Sequence, residues 1–168
     1  MKIAPYGLLS GIVVASIVQH ACYWPNLPAR VASHFGADGQ PNGWMSKTAF
    51  TLLTLGIQVG LPLFLAGLGR LIGVLPVSMV NLPNREYWFH PDRRAATVDH
   101  MQLMMTWIAV LSAMFIAIIS HLTFLANRSG GSLNEAVFLV SLVVYLGVVF
   151  GFVGYSFWRF WLPKEAKE

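Results

Sequence analysis

Charge is what this sequence has least of. Of its 168 residues, 11% are Asp, Glu, Lys or Arg, against roughly 25% in a soluble domain. A water-soluble chain of this size must cover a large surface with polar groups, so that class is excluded. Cysteine is nearly absent as well. Cys22 stands alone, which excludes an intramolecular disulfide and any paired-cysteine metal motif, and a buried, inert thiol is expected. There is no nucleophile elbow, phosphate-binding loop or zinc-protease helix. The chain is therefore expected to be non-enzymatic and to need no cofactor.

What is present is apolar residues, 56% of the chain, gathered in long blocks. Lys2 to Arg30, Lys47 to Arg70, Asp99 to Arg128 and Glu135 to Arg159 bracket stretches of 27, 22, 28 and 23 residues free of charge. A membrane-spanning helix needs about 20 such residues. A β-barrel would show alternating segments of about ten residues instead. The expected fold is an all-α membrane protein, a four-transmembrane-helix bundle forming one domain over 1–168. Its spans are expected at about 3–23, 48–71, 99–126 and 133–157, with a structured outer loop between the first two. Pro62 should kink the second span. The run from Pro91 has a helix start that leads directly into the third.

Sorting cations by loop gives an orientation. One side receives Lys2, Arg70, Arg85, Arg93, Arg94, Arg159, Lys164 and Lys167; the other receives Arg30, Lys47 and Arg128. The richer side is expected in the cytoplasm, with both termini, in a bacterial plasma (inner) membrane. The first span is too long for a signal peptide and lacks a small-x-small cleavage site before Trp24, so it is expected to be retained. The segment Val18-Gln19-His20-Ala21-Cys22 resembles a lipoprotein acylation box only loosely, since Gln19 and His20 are polar. The tail from Lys164 to Glu168 is expected to fray.

Residues 24–48, on the expected outer side, are dense in turn formers, including Asp38-Gly39 and Asn42-Gly43, which tolerate positive φ. A compact loop is expected, with Tyr23, Trp24 and Trp44 as an aromatic belt at headgroup level. Every span carries a pair of small residues four positions apart: Gly7 and Gly11, Gly56 and Gly60, Ala113 and Ala117, Gly147 and Gly151. Such pairs let helix backbones approach in lipid; whether they serve the bundle or a homo-oligomer is left open.

Ionisable groups deep in a bilayer are functional candidates because they are costly there. No span has Asp, Glu, Lys or Arg near its centre, which argues against a proton-coupled transporter. Gln58, His20 and His121 are the polar residues that a transport path would use. His20, His34 and His121, with Asp38, are candidate ligands for zinc, although interfacial histidines that cap loop carbonyls are the plainer expectation. His34 and Asp38 are also the pair an acid–base enzyme would use, without a visible nucleophile. Arg85, Arg93 and Arg94, with Tyr87 and Trp88, would suit an anionic lipid or a cytoplasmic protein; ordinary positive-inside anchoring is the plainer alternative.

At the outer loop a recognisable pattern appears. Leu27-Pro28, His34-Phe35-Gly36, Asp38-Gly39, Asn42-Gly43-Trp44 and Ser46-Lys47 closely resemble the DUF1648 membrane domain. Asn81-Leu82-Pro83-Asn84, then Tyr87-Trp88 and Arg93-Arg94, look like a second segment that often accompanies it. The resemblance covers roughly 24–48 and 81–94. It implies an outer signature of His34, Phe35, Gly36, Asp38, Gly39, Asn42, Gly43 and Lys47, and a cytoplasmic signature of Asn81, Pro83, Asn84, Tyr87 and Trp88. The best-known relatives are SdpI-type immunity proteins, larger than this chain, which protect a cell from a secreted peptide toxin. Envelope sensing or peptide-toxin immunity is the implied function, with a small transporter or accessory subunit as the alternative. The partners expected are the bilayer, a secreted peptide or a cytoplasmic regulator, and no nucleic acid.

Overall fold

The computed structural model describes residues 4–161. The span start at Ile3, the cation Lys2 and the tail from Lys164 to Glu168 lie outside the described residues. In chain order the elements are helix α1 (Ala4–Tyr23), a 3-10 turn (Trp24–Asn26), strands β1 (Arg30–Phe35) and β2 (Pro41–Ser46), and helix α2 (Lys47–Leu71). A second 3-10 turn (Val77–Met79) and the single-turn helix α3 (Arg85–Trp88) lead to helices α4 (Pro91–Ser129) and α5 (Glu135–Trp161). α1, α2, α4 and α5 are each long and apolar enough to cross a membrane. The molecule is an all-α, multi-pass membrane bundle whose α1–α2 connection is a small β-hairpin.

Local chemistry explains the boundaries. α2 begins where the Ser46 hydroxyl accepts a hydrogen bond from the Ala49 amide at 3.2 Å, an N-cap for a helix whose first amides have no partner within it. Pro91 opens α4 at a position that needs no amide hydrogen, and Asp92 sits in its positive first turn. Gly130 ends α4 at φ 64° with its amide on the Ala126 carbonyl, a left-handed stop that glycine makes without strain. α4 therefore continues past the expected end at Ala126. Its 39 residues extend about 58 Å at about 1.5 Å each, nearly twice the roughly 30 Å hydrocarbon core. α2 runs unbroken through Pro62, which is buried.

α4 is the hub. It packs against α1, α2 and α5, and it also meets the hairpin and α3. In mid-span Leu9 of α1 sits against Ala109, Val110 and Ala113 of α4. Toward the hairpin, Leu27 and Val31 pack with Phe50 and Phe124. At the opposite end Val80, Phe89, Met101 and Phe160 close the bundle. α5 lies at the margin, with only Ser156 and Phe160 buried among its described residues. It is tied to α4 by the Ser112–Tyr145 hydroxyl pair at 2.9 Å and by the stacked Phe115 and Tyr145 rings.

The small-residue pairs do not all do what close packing would ask of them. A side chain added at Gly7, Gly11, Gly56, Gly60, Gly147 or Gly151 would meet nothing within 4 Å. Only the pair on α4 is used, through fully buried Ala113 and the Ala117 carbonyl. The tight approach is made by a different glycine. A Cβ on Gly69 of α2 would lie 2.9 Å from Gln102 Cα of α4.

Candidate functional site

The hairpin is antiparallel, pairing Arg30 with Ser46, Val31 with Met45 and Ala32 with Trp44. Its turn is built by Asp38-Gly39. The Asp38 carboxylate accepts from the Gln40 amide at 3.0 Å, while Gly39 takes φ 69°. Asn42-Gly43 is not the turn expected of it. Both residues lie in β2, at a register irregularity that pairs His34 with Gly43. A Cβ on Gly43 would come within 3.1 Å of the His34 side chain, so glycine makes room for the imidazole there.

The hairpin is clamped to the bundle at three places. Val31 is fully buried between Phe50 and Phe124. Asn127 of α4 accepts from the Ala32 amide at 2.7 Å and donates to the Ala32 carbonyl at 2.9 Å, so its amide acts as one more strand edge. Gly39 accepts from the Leu133 amide at 2.9 Å in the α4–α5 connection. Lys47 lies over the Trp24 ring, 4.7 Å from its centroid. His34, Asp38 and Asn42 remain exposed on the far surface of the hairpin.

The candidate metal ligands are not gathered. His20 is buried in α1, where its ring bonds the Ser16 carbonyl at 2.9 Å and the Thr54 hydroxyl at 3.0 Å. His121 meets the Tyr23 hydroxyl at 3.1 Å. His34 meets the Ser33 hydroxyl at 3.2 Å. Among the described residues no group of three or more His, Cys, Asp or Glu side chains is placed to hold a metal. The reason is geometric: each histidine rides on a different element and is taken up by a local hydroxyl.

A polar chain does run through the α1–α2–α4 interface. Gln58, fully buried, donates to the Ser16 hydroxyl at 2.7 Å and to the side-chain Oε1 of Gln19 at 3.4 Å. Gln19 in turn donates to the Ala117 carbonyl of α4 at 3.4 Å. The Thr54 hydroxyl has one hydrogen and three possible partners in reach, the His20 ring and the carbonyls of Phe50 and Thr51. Gln58 Oε1 is buried without a hydrogen-bond partner among the described residues. Thus Gln58 and His20 belong to one network through Ser16, whereas His121 does not.

The second signature forms a strap over the other end of the bundle. Asn84 adopts the left-handed φ of 52°, and its amide donates to the carbonyls of Phe160 (3.0 Å) and Trp161. Trp88 Nε1 donates to the same Phe160 carbonyl at 3.0 Å. The last carbonyls of a helix have no partner within it; here Asn84 and Trp88 supply them for α5. Asn81 and Tyr87 line an open cleft of about 510 Å³. The arginines of this region are taken up locally. Arg85 donates to the Ser78 carbonyl at 3.0 Å, Arg93 lies 4.1 Å over the Tyr87 ring, and Arg94 donates to the Gly73 carbonyl at 3.2 Å. Sequence reasoning missed Asn127, which lies one position past the expected third span. It also missed Ser16 and Thr54, whose hydroxyls carry no signal until the helices are assembled.

No curated protein and no solved structure matches the chain. Residues 11–59 match the model of one family, described as a domain of unknown function, DUF1648. The match begins in α1, takes in the whole hairpin and ends in α2 just after Gln58. The first signature is thus a stretch of DUF1648 type.

Proposed function

We propose that this is a non-enzymatic membrane protein that recognises a ligand at the hairpin and passes the event to the strap on the other face. The observation that carries the reading is that one continuous helix, α4, holds both. Near its C-terminal end Asn127 grips β1. Near its start Thr97 donates to the Trp88 carbonyl at 2.9 Å. A displacement of the hairpin that moves α4 must disturb the strap, because a packed helix transmits force along its axis rather than bending freely. The bias of cations toward the strap side supports an orientation with the hairpin outside the plasma membrane. An exposed, turn-built surface bearing His34, Asp38 and Asn42 suits a peptide ligand better than a small substrate, since a small substrate is ordinarily enclosed. Envelope sensing or immunity to a secreted peptide is the function that fits.

The test is genetic. Deleting the gene is expected to raise sensitivity to membrane-active peptides, and the wild-type copy to restore resistance. A copy carrying His34→Ala and Asp38→Ala is expected to reach the membrane at normal abundance without restoring it. Unchanged sensitivity on deletion overturns the reading. A second reading, a small transporter or accessory subunit, is favoured by the Ser16–Gln58–His20 network inside the bundle. Solute uptake in proteoliposomes that Gln58→Leu abolishes would select it.

A further inference from the structure

The arginines of the strap are engaged by carbonyls and a ring, but Arg70 is not. It stands exposed in the last turn of α2, and its guanidinium makes no hydrogen bond or ion pair with any described residue. Its position is the mouth of a groove of about 420 Å³ that runs along the α1–α2 seam. Leu9, Val13, Leu63 and Ala66 wall that groove, and Ser10 and Tyr6 sit with Arg70 on its lining. The volume falls within the roughly 300–1,000 Å³ of ligand clefts. Gly67 opens the wall further, since a Cβ there would meet nothing within 4 Å.

The chemistry of the mouth is one-sided. The Tyr6 hydroxyl already accepts from Gln102 Nε2 at 2.8 Å, which leaves its own hydrogen to donate outward. Arg70 brings a fixed cation with a planar fork of donors that matches a phosphate. A groove between two spanning helices opens to hydrocarbon, so its occupant must have an apolar chain. Its polar end must be an anion at headgroup depth. We infer that the α1–α2 groove is a binding site for an anionic phospholipid. One acyl chain lies along Leu9, Val13, Leu63 and Ala66, and the phosphate meets Arg70 and the Tyr6 hydroxyl. Simple cation anchoring at the interface would need no groove and no free hydroxyl donor beside it.

The full chain in detergent, titrated with phosphatidylglycerol or phosphatidylcholine and read by native mass spectrometry, tests this. Wild type is expected to retain phosphatidylglycerol in preference to phosphatidylcholine. Arg70→Gln should lower phosphatidylglycerol affinity about fivefold, the effect of one cation at a membrane surface, and phosphatidylcholine affinity by less, because the choline cation already offsets that lipid's phosphate. Gly67→Leu, which fills the groove without touching charge, should weaken both lipids. Arg85→Gln, whose guanidinium is held on the Ser78 carbonyl, should change neither. Equal retention of the two lipids by wild type overturns the inference. So does an Arg85→Gln loss as large as that of Arg70→Gln, or a Gly67→Leu protein that binds as wild type does. Each variant is exposed or faces open space, and an unchanged unfolding temperature in detergent checks that it is folded.

Discussion

Asn127 does with one side chain what a neighbouring strand would do with a backbone: it satisfies both the amide and the carbonyl of Ala32. Ala32 is buried, so its amide cannot turn to water instead. Leaving a buried donor unpaired costs about 1–3 kcal/mol. Asn127→Ala is therefore expected to lower stability by about 2 kcal/mol and to speed hydrogen exchange at the Ala32 amide; unchanged exchange would remove Asn127 as the hairpin clamp. Gln58 behaves in the opposite sense. Its Oε1 is buried and unpaired among the described residues, so its amide gains less than a fully satisfied one. Hydrogen bonds between membrane helices contribute about 0.6 kcal/mol on average. Gln58→Met, of similar length, is expected to change thermal stability in detergent by less than about 1 kcal/mol. A large loss would mean that Gln58 Oε1 has a partner in the membrane. The sequence singles out Gln58 as a lone polar residue in a span but not its partners, and it gives Asn127, one position past the expected third span, no role at all.

At the scale of the element, the glycines divide into two populations that sequence spacing cannot separate. Gly56 and Gly60 on α2 look like a packing pair, yet both face open space. Gly69, nine positions beyond Gly60 and four before Gly73, has the same spacing and is where the α2 and α4 backbones meet. Inside lipid, van der Waals contact between helices replaces the hydrophobic drive, so the close approach matters more than the motif. Gly69→Ala puts a methyl 2.9 Å from Gln102 Cα, a backbone atom that cannot swing aside. It is expected to destabilise the bundle by about 1–3 kcal/mol, whereas Gly147→Ala should lie within about 0.5 kcal/mol of wild type. Unfolding in mixed detergent micelles compares them, and equal effects would refute the α2–α4 contact. The strap element has its own signature of tertiary origin. Asn84 and Trp88 both serve carbonyls of α5 some seventy positions away, so the second motif is, at least in part, a cap for a helix that follows it.

At the scale of the whole molecule, three helices form the body and a fourth lies along one side. Large apolar side chains of α5, Val140 and Phe150 among them, face outward, as suits hydrocarbon or another membrane protein. The proposed orientation predicts a simple labelling pattern. In a Cys22→Ser background, Asp38→Cys on the hairpin should react with a membrane-impermeant maleimide in intact cells. Glu86→Cys on the strap should react only after permeabilisation. The reverse pattern would invert the orientation and move the proposed ligand to the cytoplasm. The bundle itself was legible from the chain alone, because span length and the scarcity of charge are one-dimensional properties imposed by a layer of about 30 Å. The turn at Asp38-Gly39 was legible for a similar reason, as a backbone preference of two adjacent residues. Partners were not. Which glycine touches a helix, which hydroxyls receive Gln58 and His20, and which arginines find a carbonyl depend on rotation of each helix about its axis. That rotation follows from contacts between residues as far apart as Ala32 and Asn127, and only the assembled structure decides it.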